Sequence, residues 1–264
     1  MLAALVLSVL TVTPAQAGDL EIKNVRLTYG IHGQERKDDK ILPGEKVYIS
    51  YDVHGLKVAP DGEVKYETSY ELIQKSSGKT LLKEDFTEKG AINNLGGSVL
   101  PSFALTVFGL DTTPGTYTIK VVVRDKATKK DATLTKDVEV VAPNLGFVRV
   151  QLLGAGGGPA APVAVPGQAL LLQYALVGFK VNKDGAGDVT LQVELLDDTG
   201  KPTVETPAMS RFKPTPKPNL VIVEFKLLPL QLNRPGKFKL VLKATDHLGM
   251  TTTTTPLDIE VLNR

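Results

Sequence analysis

The sequence predicts an all-β protein built from two tandem antiparallel β-sandwich domains, and three observations support this fold class. First, the chain is internally duplicated, because motifs of its first half return about 120 residues later. Second, apolar and polar residues alternate at every second position in several segments, which is typical of strands that bury one face. Third, turn-forming pairs such as Pro-Gly, Asp-Gly and Ser-Gly separate these segments at short intervals.

The duplication is defined by motifs that recur at a nearly constant offset. Most recur 123 residues apart, and the motif before the sixth strand recurs 121 residues apart. The matched motifs are Pro43-Gly44 and Pro166-Gly167, Tyr51 and Tyr174, Gly55 to Val58 and Gly178 to Val181, Asp61-Gly62 and Asp184-Gly185, and Pro114 to Tyr117 and Pro235 to Phe238. The offset predicts one domain in residues 18–142 and another in residues 146–264, joined by the linker 143–145. A linker this short that contains proline is expected to restrict movement between the domains.

The alternating segments and the turns between them predict seven strands in each domain. In the first domain these are residues 20–29, 46–54, 63–73, 79–86, 98–108, 116–124 and 133–141. In the second they are residues 146–153, 169–177, 187–197, 202–206, 220–228, 237–245 and 254–262. No segment has the period of an amphipathic helix.

About seven short strands in a unit of this length favour an immunoglobulin-like sandwich. Tyr117 and Phe238 open the sixth strand, where many such sandwiches carry a corner tyrosine, but Phe238 has no hydroxyl for that hydrogen bond. The pattern Pro-Gly-x-Tyr/Phe, followed by alternating apolar residues and an aspartate (Asp125, Asp246), resembles the tandem immunoglobulin-like, fibronectin type III-like repeats of bacterial exported proteins. The resemblance covers nearly all of the chain after residue 17. It implies a structural, adhesive or partner-binding role and supplies no catalytic residue.

Residues 1–17 have the features of a secretory signal peptide. The stretch from Leu2 to Val12 is apolar, and Ala15-Gln16-Ala17 forms a small-x-small cleavage site, although no basic residue stands near Met1. The apolar stretch is too short to cross a bilayer, and no later segment is long and apolar enough to do so. We therefore expect an exported protein, located in the periplasm, at the cell surface or outside the cell.

The composition argues against several classes of function. The chain has no cysteine, which leaves no disulfide, thiol chemistry or lipid attachment site. Its net charge of +2 gives no basic footprint for nucleic acid. No cofactor is expected either, because the glycine-rich segment Gly154 to Pro159 lacks the Gly-Lys-Ser/Thr ending and the following helix of a phosphate loop. In the duplication this segment matches the charged loop 33–40, so we interpret it as a surface connection.

Few residues are candidates for a metal site. Asp61 and Asp184 precede a glycine in both domains, and with Asp188 they are the candidate calcium ligands, because carboxylates suit that ion. The same Asp-Gly pairs are also typical of hairpin turns in which glycine adopts a positive φ. The histidines, at unmatched positions, indicate no metal site.

The segment Phe212 to Pro218 is a proline-rich, cationic loop, and its composition predicts a stiff, extended conformation. Lys213, Pro214, Pro216 and Lys217 are the candidate residues for contact with a partner or an anionic polymer. A rigid crossover between the two sheets is the alternative interpretation.

Together these observations predict a non-catalytic binding, scaffolding or adhesion module at the bacterial envelope, with a protein or a polysaccharide as its partner. A second hypothesis is a periplasmic chaperone or assembly factor that pairs an edge strand with a client. A calcium-dependent adhesin or a hydrolase is a third, although no Gly-x-Ser-x-Gly motif supports a hydrolase. The sequence leaves the partner and the oligomeric state open.

Overall fold

The computed structural model describes residues 19–215, 222–225 and 228–263, and all of its regular structure is β-strand. The predicted all-β, antiparallel fold class is therefore confirmed. Within these ranges we find no helix long and apolar enough to cross a bilayer. The predicted signal peptide and two of the predicted loop residues, Pro216 and Lys217, lie outside the described residues.

The first half of the chain forms two sheets. Its strands are β1 (Glu21–Thr28), β2 (Lys40–Ile41), β3 (Lys46–His54), β4 (Glu63–Gln74), β5 (Lys79–Ile92), β6 (Val99–Val107), β7 (Gly115–Asp125) and β8 (Asp131–Val140). One sheet has three strands in the order β1-β3-β6, and the other has five in the order β2-β8-β7-β4-β5. The pair β2 and β8 is parallel, and the other pairs in these two sheets are antiparallel.

The second half repeats this arrangement. Its strands are β9 (Gly146–Gly154), β10 (Val163–Ala164), β11 (Ala169–Val177), β12 (Val189–Leu196), β13 (Ala208–Phe212), β14 (Ile222–Glu224), β15 (Leu228–Gln231), β16 (Gly236–Asp246) and β17 (Thr251–Val261). The five-stranded sheet has the order β10-β17-β16-β12-β13, which matches the first half strand for strand. In the other sheet β11 lies between β9 and two short strands, β14 and β15, which take the place of β6.

The strand register is also repeated. Tyr66 lies opposite Asp125 in the first half, and Val189 lies opposite Asp246 in the second. These pairs are related by the same offsets, 123 and 121 residues, that relate the sequence motifs. The repeat therefore extends from the motifs to the backbone hydrogen-bond pattern.

Both halves carry a β-bulge at the same place in their first strand. The register of β1 against β3 shifts between Lys23 and Arg26, and that of β9 against β11 shifts beside Arg149. The bulged residues Asn24 and Arg149 have φ of 52° and 56°. This bulge could not be predicted from the sequence, because neither residue is glycine, the residue type that usually adopts a positive φ.

Each half buries its own cluster of apolar side chains. In the first half, the inward residues of β3 and β7 are those of the predicted alternation: Val47, Ile49, Tyr51, Val53, Ile119, Val121 and Val123. In the second half, the inward residues of β16 are Phe238, Leu240, Leu242 and Ala244. The first cluster is drawn from residues 20–140 and the second from residues 145–261, so the two cores share no buried residue.

The described residues of the two halves form eight and nine strands where seven were predicted in each domain. The two-residue strands β2 and β10 were not predicted, β5 extends to Ile92, and two predicted strands of the second half differ from the observed ones. The predicted strand at 202–206 is wrong, and the strand of this region is β13, Ala208–Phe212. The side chain of Asp197 accepts hydrogen bonds from the backbone N–H groups of Thr199 and Lys201, both at 3.0 Å. These hydrogen bonds close a turn just before the predicted strand. Pro202 lacks an N–H and forms only an isolated bridge with Leu196. The predicted strand at 220–228 is divided into β14 and β15, and residues 220, 221, 226 and 227 lie outside the described residues.

The predicted corner tyrosine is present in the first half. The hydroxyl of Tyr117 donates to the carbonyl of Thr113 at 2.7 Å, and its ring packs edge-on against Phe108 with centroids 5.3 Å apart. In the second half, the guanidinium of Arg234 lies 4.9 Å from the centroid of the Phe238 ring. A cation–π contact thus occupies the place of the missing hydrogen bond.

Asp125 and Asp246 end β7 and β16, and both carboxylates are buried. Oδ1 of Asp246 accepts the backbone N–H of Leu248 at 3.0 Å, and Oδ2 accepts that of Lys180 at 2.8 Å. Asp125 accepts the equivalent N–H groups in the first half. Each carboxylate therefore ties a hairpin turn to the Gly-x-Lys-Val segment, which explains why both motifs recur in the sequence.

We expect the substitution Asp246→Asn to lower the free energy of unfolding by about 1–3 kcal/mol. An asparagine keeps one acceptor oxygen but presents its NH₂ group to the second backbone N–H, which is then left buried without an acceptor. Urea unfolding followed by circular dichroism measures the change. Asp258→Asn alters an exposed carboxylate on β17 and is the control, with an expected change within about 0.5 kcal/mol. Equal stability of the two variants would contradict the role of Asp246.

Candidate functional site

The two candidate metal residues that precede glycine lie in tight turns. Oδ1 of Asp61 accepts the backbone N–H of Glu63 at 3.0 Å, and Gly62 between them has φ of 83°. Asp184 lies in the matching turn of the second half, where Gly185 has φ of 76°. Across the described ranges, no three His, Asp or Glu side chains are grouped closely enough to hold a metal ion.

The third metal candidate and the proline-rich loop lie side by side. The guanidinium of Arg211 donates to both carboxylate oxygens of Asp188, at 2.8 and 2.6 Å, and holds the pKa of Asp188 below its ordinary value. Pro214 is buried, and its carbonyl accepts the N–H of Gly187 at 2.7 Å. Lys213 is exposed beside this anchor. The start of the loop is therefore fixed to the sheet, and a binding role for Lys213 stays a prediction.

The two halves meet through a buried charge that no motif of the sequence indicated. Glu45 is 2% exposed, and one of its oxygens accepts Nη1 of Arg36 at 2.9 Å. The other oxygen accepts the backbone N–H of Arg149, in the bulge of the second half, at 2.5 Å. The side chain of Arg149 in turn donates to the carbonyl of Gly44 at 3.0 Å and pairs with Glu224. Burial opposes the charge on Arg36, but Glu45, Tyr29 and Asp38 together outweigh this effect and raise the pKa of Arg36.

A small apolar cluster also joins the two halves. Val148, Ala175 and Val177 of the second half form a small buried cluster. Leu42 and Leu110 of the first half pack against it. The junction therefore combines a desolvated charge with close apolar packing, and the two halves are held against each other by both.

The first half is open along one side. A three-stranded sheet faces a five-stranded one, and every residue of β5 except Ala91 is exposed. Between β6 and the inner face of β4 and β5 lies a groove of about 440 Å³. Its lining residues include three tyrosines, Tyr51, Tyr66 and Tyr70, and Lys89 of β5. We call this region the open side.

The tyrosines of the open side are largely buried. Tyr51 is 2% exposed, and the Tyr70 hydroxyl is hydrogen-bonded to Oγ1 of Thr106. Burial raises the pKa of Tyr51 and of Tyr70 to about 12. The floor of the groove is therefore aromatic and uncharged at neutral pH.

The second half fills the equivalent space with two aromatic rings. By the repeated register, Phe212 stands at the position of Lys89, and Phe225 stands at the position of Ser102. Phe225 stacks on Tyr174 with centroids 4.9 Å apart, and Phe212 meets Phe225 edge-on at 5.1 Å. The two halves thus share a backbone arrangement but differ in what occupies this side.

Strand β6 presents apolar side chains to solvent. The residues on its outward face are Val99, Pro101, Phe103, Leu105 and Val107, and we call them the apolar stripe. The exposed fraction is 42% for Val99, 43% for Phe103 and Leu105, and 55% for Val107. The inward face instead contains the buried hydroxyls of Ser102 and Thr106. This is the reverse of the usual pattern for a strand at the surface of a sandwich, and alternation alone could not show which face points inward.

No protein-family model and no curated protein matches the chain. Among the solved structures that match, red sea bream transglutaminase is 10% identical over 93% of this chain, with a TM-score of 0.29. The chain spans 31% of the length of that protein. A structure named BspA_C_mut is 9% identical over 92% of this chain and 99% of its own, with a TM-score of 0.30. At TM-scores this low, neither likeness carries a conclusion about this chain.

We expect Glu45→Ala to lower the free energy of unfolding by about 3–5 kcal/mol, because it leaves the guanidinium of Arg36 buried without a counter-charge. Urea unfolding measures the loss. The control is Glu21→Ala, which breaks an ion pair between Glu21 and Lys23. Their side chains are 51% and 53% exposed, so the expected change in the free energy of unfolding is below about 1 kcal/mol. A Glu45 variant as stable as the control would contradict the importance of the junction charge.

The buried tyrosines predict a loss of stability at alkaline pH. A tyrosine whose folded pKa is raised favours the folded state below its ordinary pKa of 10.0, and this contribution disappears as the pH rises towards about 12. A rise from 10.0 to about 12 corresponds to about 3 kcal/mol for Tyr51. Urea unfolding at about pH 9 and about pH 11.5 measures the decline. In Tyr51→Phe, which cannot ionise, the decline should be smaller, and an equal decline in both proteins would contradict the assignment.

Proposed function

We propose that the protein is a non-catalytic binding and scaffolding module, exported to the bacterial envelope and built from two immunoglobulin-like domains, residues 18–142 and 146–264. The observation that carries this proposal is the apolar stripe on β6. Its partner is a protein or a polysaccharide-bearing surface with an apolar face, and the second domain and the junction hold the stripe in a fixed orientation.

The stripe is the kind of surface that marks an interaction site. Single exposed apolar residues are common, but contiguous apolar patches are rare on monomeric soluble proteins outside binding surfaces. Here the apolar side chains occupy every second position along one face of a single strand, and that strand lies at the edge of its sheet. Natural edge strands usually carry charged side chains that discourage contact, and β6 carries none on its outward face.

The surroundings of the stripe favour binding over catalysis. Burial raises the pKa of the groove tyrosines and keeps them protonated, so they are poor bases at neutral pH. Glu84 and Lys89 also line the groove, but they belong to the exposed strand β5. A pair of carboxylates in a cleft, as in a glycosidase, is not found among the described residues that line the groove.

A chaperone or assembly factor that works by strand addition is the second candidate function. The free edge of β6 favours it, because an edge strand offers a row of backbone groups for pairing. The short loop from Lys213 remains a further candidate contact, through its exposed cationic side chain.

The proposed function is tested by retention of the protein on cell envelopes isolated from the bacterium that encodes it. We expect the double variant Phe103→Ser/Leu105→Ser to be retained at least about tenfold more weakly than the wild type, because each apolar side chain buried at an interface contributes about 1–2 kcal/mol. A sedimentation assay measures the bound fraction.

The matched control is Met209→Ser/Met250→Ser, which removes two apolar side chains that are 66% and 89% exposed elsewhere on the surface. Unfolding curves verify that both double variants remain folded. Equal retention of the two would exclude the stripe as the binding surface. A wild-type protein that does not sediment with envelopes would contradict the proposed function itself.

A further inference from the structure

We infer that the open side of the first half accepts an extended polypeptide strand from a partner protein. This strand pairs with the free edge of β6 and directs an aromatic side chain inward, into the space between Lys89 and Ser102. The inference rests on the proposed binding function and names the class of its ligand.

The backbone hydrogen bonds of β6 define which of its groups are free. At one end of the strand the N–H of Phe108 donates to the carbonyl of Glu45 at 3.0 Å, and at the other the N–H of Gly55 donates to the carbonyl of Ser98 at 3.1 Å. Hydrogen-bonded and non-hydrogen-bonded pairs alternate along an antiparallel ladder. The even-numbered residues of β6 therefore bond to β3, and the odd-numbered residues direct their N–H and C=O groups to the free edge.

The position of Pro101 fits this assignment. It is odd-numbered, so its missing N–H lies on the free edge and costs the ladder with β3 nothing, as is usual for proline in an edge strand. The free edge still offers the N–H groups of Phe103, Leu105 and Val107, and their carbonyls. None of the strands in the described part of the chain pairs with this edge. These groups form a continuous template for an added strand.

The opposite sheet leaves room for that strand. The inner face of β5 carries Glu84 and Lys89, and it extends beyond β6 without a strand above it in the described part of the chain. A strand added to β6 would lie over this face and over the groove of about 440 Å³. It would therefore complete the sandwich as well as bind its edge.

The second half shows what kind of side chain the space holds. At the positions of Lys89 and Ser102 it has Phe212 and Phe225, and their rings pack on Tyr174. In the first half a tyrosine floor is also present, but the two rings are missing. An aromatic side chain from the ligand strand would supply the packing that the second half supplies for itself.

These requirements favour a partner strand over a second copy of the chain. The inward residues of β6 are Leu100, Ser102, Ala104 and Thr106, so pairing two copies through this edge would bring no aromatic ring into the space. In the second half the equivalent strands β14 and β15 pair with β11 in registers that differ by one residue, and Pro229 lies within β15. The open side of the first half is therefore the place for a separate extended segment.

The test uses a fluorescently labelled peptide in which valine and threonine alternate around one central phenylalanine, with binding followed by fluorescence anisotropy. A peptide of the same composition in scrambled order is the reference. We expect the alternating peptide to bind the wild-type protein, and Phe103→Pro to weaken that binding at least about tenfold, because it removes an edge N–H without touching the ladder to β3. Phe103→Ala keeps the N–H and should weaken binding less than Phe103→Pro.

A second variant tests peptide binding without a new proline in β6, in case Phe103→Pro fails to fold. Lys89→Phe/Ser102→Phe places in the first half the two rings of the second half, and we expect it to lose peptide binding while its unfolding midpoint does not fall. Equal binding of the alternating and scrambled peptides, or no binding by the wild type, would overturn the inference. So would a dimer that Phe103→Pro dissociates, because the occupant would then be a second copy. Stripe-dependent retention on envelopes without peptide binding would leave the proposed function in place and remove this ligand class.

Discussion

The mismatch between a sheet that is three strands wide and a sheet that is five strands wide is the constraint on which the rest of the structure depends; in the second half, β14 and β15 share the third position. A narrow sheet covers only part of a wider one, so one side of each sandwich must be completed by side chains or by another strand. The second half uses Phe212 and Phe225 for this purpose. The first half leaves β5 exposed and a groove beside β6, and its surface properties follow from that difference.

The two halves show which features of the repeat are restrained and which are free to diverge. The bulge in the first strand and the buried aspartate at the end of β7 and β16 are kept in both halves, and the aspartate accepts backbone N–H groups that would otherwise be unpaired. The side chains that fill the space beside β6 in the first half, and its equivalent in the second half, are different, since no backbone hydrogen bond depends on them. The bulge has gained a further role in the second half, where the N–H of Arg149 meets the carboxylate of Glu45.

Period-two alternation and turn residues were sufficient to predict the fold class and most strands, because those signals are local. The corner tyrosine was also predictable, from Tyr117 and its place before an alternating strand. The junction charge was not, since nothing in the sequence around Glu45 indicates that Arg36 and the backbone of Arg149 converge on it. Which face of β6 points inward was not predictable either, because alternation favours burial of the face with Phe103, Leu105 and Val107, and the structure exposes that face.

The ladder between β3 and β6 has a mechanical consequence. Nine residue pairs, from Lys46 opposite Val107 to His54 opposite Val99, hold β6 in its sheet. A force applied along β6 acts on all the backbone hydrogen bonds between β3 and β6 together, in shear. A force applied across the strand breaks these hydrogen bonds one after another. The resistance of β6 to a pulling force therefore depends on the direction of the force. A partner that pulls parallel to β6 would be held more firmly than one that peels β6 away from β3.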